Sequence, residues 1–460
     1  MKYFIKYTKI KTVVLMLIIG TFISCEPYID VELPSHLLTQ EAIYENPETT
    51  RAALSNIYSK LRDNTIITGS QAGISNLLSL AADEMTYYGT QPLPDQDFYN
   101  NAILPGNPVV LSFWNQGYNL IYAANDIIEG VTNSSGLTPE EKEVFIGEAL
   151  FIRAFLHQHL TLLFGEIPYI TTTDYFENTN VTRQSVETVY ENIISDLQTA
   201  RDLLPVENVE LKTRPNRWVA TAMLARVFLY QERWPQALEE ATVVINNFQW
   251  EENINDVFLN TNPGTIWQLM PESEAVNTLE AQTFIFTTAP PPLRALNQNI
   301  VDSFEANDLR KTAWIGEVSN GTESWFHPYK YKLLPGSGSN NEYSIVFRLA
   351  ELYLIRAEAQ AHLNNIPQGV SDLNKTRNRA GLANAVANDS ESLLVEIFNE
   401  RKKELFTEMG HRWFDLIRSN KANAVLGPLK PGWNNTDVLL PLPEQELLLN
   451  PNLLPQNPGY

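Results

Sequence analysis

Apolar residues recur at helical spacing through most of this 460-residue chain, and this periodicity restricts the possible folds more than any other feature. Apolar side chains three or four positions apart line one face of a helix, and a neighbouring element must cover that face. The pattern predicts a first helix near residues 47–61. It predicts further helices over roughly 110–130, 139–164, 185–204, 215–231, 235–247, 343–363, 367–379, 391–407 and 411–419. We therefore expect a mostly α-helical protein.

Two of the predicted helix pairs have small side chains where paired helices would approach each other. In the first pair Ala225 and Ala237 are 12 positions apart, and in the second Ala357 and Gly369 have the same separation. Phe228 and its apolar neighbours fall near consensus positions of the tetratricopeptide repeat. The pattern favours tetratricopeptide-like hairpins, with generic helical hairpins as the alternative. Either scaffold presents a surface that serves contacts more often than chemistry.

The pattern changes between residues 248 and 342, where Asn, Pro and Gly are frequent. Two short runs in this region, TIWQLM at 265–270 and TFIFTT at 283–288, have a β-like composition. The tail from Gly427 is also rich in Pro and Asn, and we predict that it is mostly irregular. The sequence therefore predicts a loop-rich lobe with a few short strands beside the helical scaffold.

The first 24 residues differ from the rest of the chain. Their only charges are lysines at positions 2, 6, 9 and 11, which precede a continuous apolar run over Val13–Ile19. A basic start, a short apolar run and small residues before a cut are typical of a secretory signal. The run is too short to cross a bilayer, which takes about 20 apolar residues. We predict a signal peptide over residues 1–24, with a buried N-terminal strand or helix as the alternative.

Cys25 is the only cysteine in the chain and directly follows Ser24. A small residue before a cysteine at this position resembles the bacterial lipobox, in which the thiol is acylated and becomes the mature N-terminus. Acyl chains would hold the protein at a membrane, because each buried methylene contributes about 0.8 kcal/mol. We therefore predict lipidation at Cys25 and an extended tether over residues 25–46. The remaining residues, 47–460, are predicted to form one domain.

The charge balance argues against nucleic acid as a partner. The chain has 33 basic and 54 acidic residues and a formal net charge of −21. Removal of the four leader lysines would make this charge more negative. An acidic body repels a phosphate backbone and anionic lipid, so we expect neither to bind.

No catalytic motif stands out from the sequence, which contains no HExxH, P-loop or GxSxG pattern. His157 and His159 are two positions apart on a predicted helix, so they point to different faces and do not share a metal ion. The adjacent carboxyl groups of Asp83 and Glu84 could act as a general acid and base, but adjacent carboxylates are common. We predict a protein without enzymatic activity, metal or cofactor; the alternative is a helical glycosidase that uses Asp83 or Glu84.

Aromatic and amide residues cluster in a predicted loop over 85–112. Aromatic rings suit sugars, because the C–H faces of a sugar stack on them while Asn, Asp and Arg bind the hydroxyl groups. Arg294 and Trp325, in the second loop region at 248–342, are candidates for the facing wall. The alternative is that the rings only hold the loops against the body. The residues predicted to bind ligand are Asp83, Tyr87, Tyr88, Phe98, Tyr99, Asn100, Asn101, Arg294 and Trp325.

Five motifs spread along the chain resemble those of one known family. They are FWNQGYNLIYAAND at 113–126, RAFLHQHLTLLFGEIPY at 153–169, FRLAELYLIRAEA at 347–359, NERKKELFTEMGHRWFDLIR at 399–418 and the ending LPLPEQELLLNPNLLPQNPGY. The last two motifs are the most specific. Together with Cys25 and its leader, they make the mature chain similar to the SusD/RagB family of outer-membrane lipoproteins of Bacteroidetes.

The resemblance implies a mostly α fold in which about four tetratricopeptide-like helical pairs, around 139–247 and 343–419, pack against an irregular ligand-binding lobe. It also implies a lipid-anchored protein at the cell surface that delivers oligosaccharide to a SusC-like TonB-dependent transporter in the outer membrane. Loops such as 85–112 carry the ligand contacts in this family. We therefore predict a glycan-binding protein; the alternatives are a peptide-binding member of the family or a tetratricopeptide adaptor between proteins.

Overall fold

The computed structural model of the protein describes residues 40–91, 93–207, 210–273 and 276–460. Residues 44–460 form one compact unit. The predicted signal peptide, Cys25 and most of the predicted tether lie outside the described residues. Within the part of the chain that is described, no helix is both long and apolar enough to cross a membrane.

Helices dominate the described chain. They are α1 (Gln40–Tyr44), α2 (Pro47–Asn64), α3 (Ile74–Ala81), α4 (Pro94–Asn100), α5 (Pro108–Asn133), α6 (Pro139–Phe164), α7 (Tyr175–Asn178), α8 (Val186–Leu203), α9 (Arg217–Tyr230), α10 (Trp234–Ile245), α11 (Leu279–Phe284), α12 (Gln298–Asp302), α13 (Leu309–Ala313), α14 (Leu349–His362), α15 (Ile366–Arg379), α16 (Ser390–Glu404), α17 (His411–Arg418), α18 (Ala422–Leu426) and α19 (Glu444–Leu449). Two short 3-10 helices cover Glu210–Lys212 and Pro451–Leu453. The prediction of a mostly α fold is confirmed.

The strands are short and pair two by two. They are β1 (Met85–Tyr87), β2 (Thr265–Leu269), β3 (Arg294–Leu296), β4 (Ile315–Ser319), β5 (Ser324–Pro328) and β6 (Ser344–Arg348). β1 pairs with β3, β2 with β6 and β4 with β5, each pair antiparallel. The β4–β5 hairpin is a neighbour of β3, so strands from distant parts of the chain meet in one region.

Local sequence signals explain where the long helices begin. α6 covers the predicted range 139–164, with Pro139 in its first turn, where the missing N–H leaves no hydrogen bond unmade. The side chain of Thr138 accepts a hydrogen bond from the Glu141 N–H, and the Glu141 carboxylate accepts one from the Thr138 N–H. This reciprocal cap satisfies two of the free N–H groups at the start of the helix.

Two local predictions are wrong. The predicted helix over 343–363 begins with strand β6, because residues 344–348 pair with β2 and all five are buried. A fully buried strand and a buried helix have the same apolar composition, so periodicity does not separate them. The predicted strand at 283–288 is also wrong, because Thr283 and Phe284 complete helix α11, which the Thr278 side chain caps.

The small residues of the predicted hairpins lie where helices touch. Ala225 and Ala237 are fully buried between α9 and α10, which pack against each other. In the second hairpin, α14 and α15, a Cβ atom on Gly369 would lie 3.1 Å from the Ala357 carbonyl oxygen and 2.7 Å from a methyl carbon of Leu393. Larger side chains would separate these helices, so the predicted helical hairpins are confirmed.

A buried ion-pair network joins the loop-rich lobe to the helical scaffold. Arg310 donates to Asp308 at 2.9 Å, to Glu400 at 2.6 Å and to Glu404 at 3.1 Å. Glu404 also accepts from Arg348, at the end of β6, at 2.5 Å. Because all these side chains are buried, the charges stabilise one another only in this arrangement, which fixes α13 and β6 against α16.

Candidate functional site

Strands β1 and β3 and helix α4 bring together three of the predicted aromatic residues. Tyr87 lies at the end of β1 opposite Arg294, and the Tyr88 N–H donates to the Leu293 carbonyl at 2.6 Å. The ring centroids of Tyr87 and Tyr99 are 6.4 Å apart, with their planes inclined by 36°. Tyr88 is 39% exposed, and the other two tyrosines are half-buried. We call these three side chains the tyrosine surface.

Trp325 stands on the β4–β5 hairpin and is half-buried. It lies on β5 opposite Val318, and β5 is a neighbour of β3, the partner strand of β1. Its position as the facing wall of a ligand site stays a prediction. Trp314, in contrast, is buried at the end of α13, where its indole N–H donates to the Ile254 carbonyl at 3.1 Å.

The segment that carries Tyr99 is a helix, although the sequence predicts a loop. Pro94 begins α4, and Asp95 and Asp97 in its first turn suit the positive end of the helix dipole. Asn101 ends the helix with a φ of 50°, a left-handed conformation that Asn tolerates better than most residues. Its side chain is buried and donates to the Ala81 carbonyl at 3.3 Å, so Asn101 holds the helix end and Asn100 stays half-exposed.

Phe98 and Arg294 are buried like Asn101, which corrects the assignment of all three as ligand contacts. Phe98 has no exposed surface, because its ring fills the core behind α4. Arg294 is 3% exposed and donates to Asp95 at 2.6 Å and to the Thr283 carbonyl at 2.9 Å. A buried guanidinium needs such partners, and its burial keeps the remaining N–H donors away from a ligand hydroxyl. Phe98 and Arg294 therefore support the tyrosine surface and do not face a ligand.

Asp83 is also buried and paired, which corrects its assignment as a ligand contact. Its carboxylate accepts two hydrogen bonds from Arg412, at 2.7 and 2.9 Å, and one from Lys402 at 3.0 Å. Burial alone would raise the pKa of Asp83, but these two cations hold it well below its usual range. Asp83 therefore ties the end of α3 to α16 and α17, directly before the strand that carries Tyr87.

Glu84 lies in an environment that favours the neutral carboxyl group. It is 1% exposed, and burial raises its pKa to about 7. The Ser79 hydroxyl lies 2.6 Å from the Ser75 carbonyl oxygen and 2.7 Å from Glu84 Oε2. One hydroxyl proton serves only one of these acceptors, so a protonated Oε2 can donate to Ser79 while Ser79 donates to Ser75. The other oxygen, Oε1, accepts from the Thr407 N–H at 3.2 Å.

Sequence reasoning missed Lys430, which lies in the tail predicted to be irregular. Its Nζ is 4.2 Å from the centroid of the Tyr99 ring and donates to the Leu80 carbonyl at 2.5 Å. The turn that carries it packs on the end of α4, because the Gly432 N–H donates to the Asn100 carbonyl at 3.0 Å. Burial lowers the pKa of Lys430 to about 7. The Lys-Pro-Gly-Trp sequence indicates a turn, but only the fold shows that the turn supports Tyr99.

This arrangement suits a ligand that has apolar faces and hydroxyl groups. The tyrosine surface offers ring faces, and the Tyr87 hydroxyl is fixed because it donates to the Gln91 carbonyl at 2.8 Å. Asn100, the residue after Tyr99, adds a half-exposed amide. Among the described residues, no cluster of three or more His, Cys, Asp or Glu side chains is placed to hold a metal ion. The site therefore favours binding by stacking and hydrogen bonds.

Two family models match the chain. One, described as "Starch-binding associating with outer membrane", matches residues 37–229, and the model of the SusD family matches residues 297–460. The chain is 30% identical to SusD-like protein P2 of Formosa agariphila over 99% of this chain and 100% of that protein. It is 26% identical to SusD-like protein P25 of the same organism, over 97% of this chain and 99% of the relative.

Solved structures share the fold. A SusD superfamily protein from Bacteroides vulgatus superposes with a TM-score of 0.80 at 20% identity, over 91% of this chain and 100% of that structure. A laminarin-binding SusD-like protein superposes with a TM-score of 0.77 at 22% identity, over 91% of this chain and 100% of that structure. At these identities the likeness establishes the helical, tetratricopeptide-like architecture.

Proposed function

This chain belongs to the SusD family, and we propose that it binds glycans at the outer-membrane surface through the tyrosine surface, Asn100 and Trp325. The observation that carries the proposal is that the rings of Tyr87 and Tyr99, from two separate elements, lie with their centroids 6.4 Å apart, next to the exposed Tyr88. A family model described as starch-binding and a laminarin-binding structural neighbour support the same class of ligand.

The physical argument favours a sugar over a purely apolar ligand. Rings that are held in place lose little entropy on binding, and each stacked contact contributes about 0.5–1.5 kcal/mol beyond area burial, by analogy with aromatic pairs. Tyr87 is held by its bond to Gln91, and Tyr99 is held by Lys430 behind it. The Asn100 amide beside the rings can pair with a hydroxyl group. A few such contacts give modest affinity, which suits a protein that releases its cargo.

The alternative of a glycosidase has little support from the geometry. A glycosidase requires two carboxyl groups that face the scissile bond. Asp83 is buried in its pairs with Arg412 and Lys402, and Glu84 is buried against Ser79 and Thr407. Neither is open to a substrate. We therefore propose a binding protein without hydrolytic activity.

The experiment that tests this function is a glycan array probed with the purified mature protein. We expect binding to at least one neutral oligosaccharide and, on prolonged incubation with that oligosaccharide, no shorter products. Binding to a peptide library alone would favour the peptide-binding alternative. Release of shorter products would favour the glycosidase.

We further propose that Cys25 is acylated and that the anchored protein passes its ligand to a SusC-like TonB-dependent transporter. The proposal is supported by the family description that names the outer membrane and by the lone cysteine behind a signal-like leader. The alternative, a soluble periplasmic protein, would explain the leader but would leave the cysteine without a role. A transporter that co-purifies with the tagged protein would support the delivery step.

Replacing Cys25 with serine is expected to abolish lipidation, because serine lacks the thiol that is acylated. The variant should not incorporate radiolabelled palmitate and should leave the outer-membrane fraction for the soluble fraction or remain unprocessed. Replacing Ser24 with alanine keeps a small residue before the cysteine and serves as the matched control. Palmitate labelling that persists in Cys25→Ser would contradict the anchor assignment.

A further inference from the structure

A cleft of about 490 Å³ opens between helices α5, α7 and α19. It shares no lining residue with the tyrosine surface, because its walls come from α5, from residues 168–181 and from the C-terminal segment at 446–453. Ligand sites commonly have volumes of about 300–1,000 Å³ and combine apolar walls with a few polar groups. We call it the α5 cleft.

The aromatic wall of the α5 cleft has a simple origin in the sequence. Trp114, Tyr118 and Tyr122 are spaced four positions apart, so they form a row along one face of α5. Trp114 and Tyr118 are fixed: their ring centroids are 4.9 Å apart, and the Tyr118 hydroxyl donates to the Pro168 carbonyl at 2.8 Å. Tyr122, in contrast, is 49% exposed. It leaves a ring face open at the mouth of the cleft.

A second exposed ring lines the cleft from another element. Tyr175, on α7, is 72% exposed and belongs to the lining. The neighbouring Phe176 is 80% exposed but lies outside the lining. Two exposed rings from separate elements, Tyr122 and Tyr175, therefore border the same space.

The polar groups of the α5 cleft have unused hydrogen-bonding capacity. In the described part of the chain, the side chains of Asn115 and Asn119 form no hydrogen bond with protein. The Glu446 carboxylate is half-buried in the same cleft and interacts with the indole of Trp114. An occupant with hydroxyl groups would satisfy two amides and a carboxylate. An apolar side chain would bury the two amides without partners, which costs about 1–3 kcal/mol for each group.

The charge of the lining further restricts the occupant. No Lys, Arg or His lines the cleft, and Glu446 is the one acidic side chain among the lining residues. An anionic ligand, such as a sulfated or uronic saccharide, would meet a carboxylate and no compensating cation. The lining therefore fits a neutral ligand with apolar faces and hydroxyl groups.

We propose that the α5 cleft is a second saccharide-binding site, which takes a neutral sugar stacked on Tyr122 and Tyr175 with its hydroxyl groups on the two amides and the carboxylate. This site goes beyond the proposed function, because it is separate from the tyrosine surface and stands on its own geometry. Two sites on one chain would let the protein hold a polysaccharide at two points and increase its effective affinity.

The test is gel electrophoresis of the mature protein through laminarin, starch, galactomannan and a sulfated carrageenan, each embedded in the gel. Four proteins are compared: wild type, Tyr122→Ala/Tyr175→Ala, Tyr88→Ala/Tyr99→Ala and the variant with all four changes. Phe176→Ala is the matched control, because it removes a ring beside Tyr175 that does not line the cleft. Tyr122 and Tyr175 are exposed, so their replacement leaves the folded structure intact, which circular dichroism checks.

We expect Tyr122→Ala/Tyr175→Ala to weaken binding to at least one neutral polymer about fivefold or more, measured as retardation in the gel. The same loss should appear when the two changes are added to Tyr88→Ala/Tyr99→Ala. Phe176→Ala should match wild type. Unchanged retardation by every neutral polymer in both backgrounds would overturn the second site and leave the tyrosine surface intact.

The remaining outcomes separate the two sites. Suppose that Tyr122→Ala/Tyr175→Ala is retarded less than wild type while Tyr88→Ala/Tyr99→Ala is retarded as strongly as wild type. That result would support the second site and contradict the first. Failure of the wild-type protein to bind any of the neutral polymers would overturn the second site. Retardation by carrageenan that depends on Tyr122 and Tyr175 would also overturn it, because the lining has no cation for a sulfate group.

Discussion

Replacing Glu404 with leucine is expected to destabilise the folded protein by roughly 3–5 kcal/mol, a large part of the stability of an ordinary domain. The Glu404 side chain is fully buried and accepts hydrogen bonds from Arg310 at 3.1 Å, from Arg348 at 2.5 Å and from Arg379. Leucine leaves excess positive charge in the interior. Urea unfolding followed by circular dichroism measures the loss.

Arg379 explains why the effect should be large. After the change, Arg310 still forms ion pairs with Asp308 and Glu400, and Arg348 still forms one with Glu408. Arg379 has no carboxylate other than Glu404 among the described residues, so its guanidinium would remain buried and unpaired.

Two further variants give controls for Glu404→Leu. Adding Arg379→Met removes the unpaired charge, so the double variant should recover part of the lost stability. Glu396 lies on the same helix at a half-exposed position and makes no ion pair in the described chain. Glu396→Leu should therefore change stability by no more than about 0.5 kcal/mol. A Glu404→Leu protein that unfolds at the wild-type urea concentration would contradict this account of the interface between lobe and scaffold.

Replacing Glu84 with glutamine is expected to stabilise the protein above pH 7 by roughly 2–3 kcal/mol. Burial raises the pKa of Glu84 from 4.5 to about 7, so the folded state binds a proton more tightly than the unfolded state. The wild-type contribution is therefore complete below pH 4.5 and is lost as the pH rises through 7. Glutamine stays neutral, and it can donate to Ser79 and accept from the Thr407 N–H.

The measurement is the free energy of unfolding of both proteins between pH 4.5 and 8.5. The difference between Glu84→Gln and wild type should grow with pH across this window and level off above pH 7. Glu396→Gln, at a half-exposed position, should run parallel to wild type. A Glu84→Gln curve parallel to wild type at every pH would show that the carboxyl group is not protonated in the folded state.

Much of the scaffold follows from local signals. Helix α6 begins at a proline behind a threonine cap and carries apolar residues at helical spacing, so its range is predictable without the fold. Strand β6 was not predictable, because its apolar residues reveal burial and only its pairing with β2 makes it a strand. The loop prediction for the α4 segment was wrong for a different reason. The helix is seven residues long, which is too short for helical periodicity to appear in the sequence.

The candidate site shows the same division between local and distant information. Tyr87, Tyr88 and Tyr99 are close in sequence, and their grouping is visible there. The burial of Arg294 and Asp83 depends on partners elsewhere in the chain, Asp95 and Arg412, which no spacing rule connects to them. Residue type therefore pointed to the site, while contacts distant in sequence decided which charged side chains support it.

The most direct test of the central claim is calorimetric titration of Tyr88→Ala/Tyr99→Ala with a neutral oligosaccharide that the wild-type protein binds. We expect binding to weaken roughly tenfold to a hundredfold, because two stacked rings are lost, while circular dichroism shows an unchanged fold. Tyr88→Phe/Tyr99→Phe keeps the ring faces and should bind close to wild type. A folded Tyr88→Ala/Tyr99→Ala protein with wild-type affinity would contradict the claim that the tyrosine surface is the glycan site.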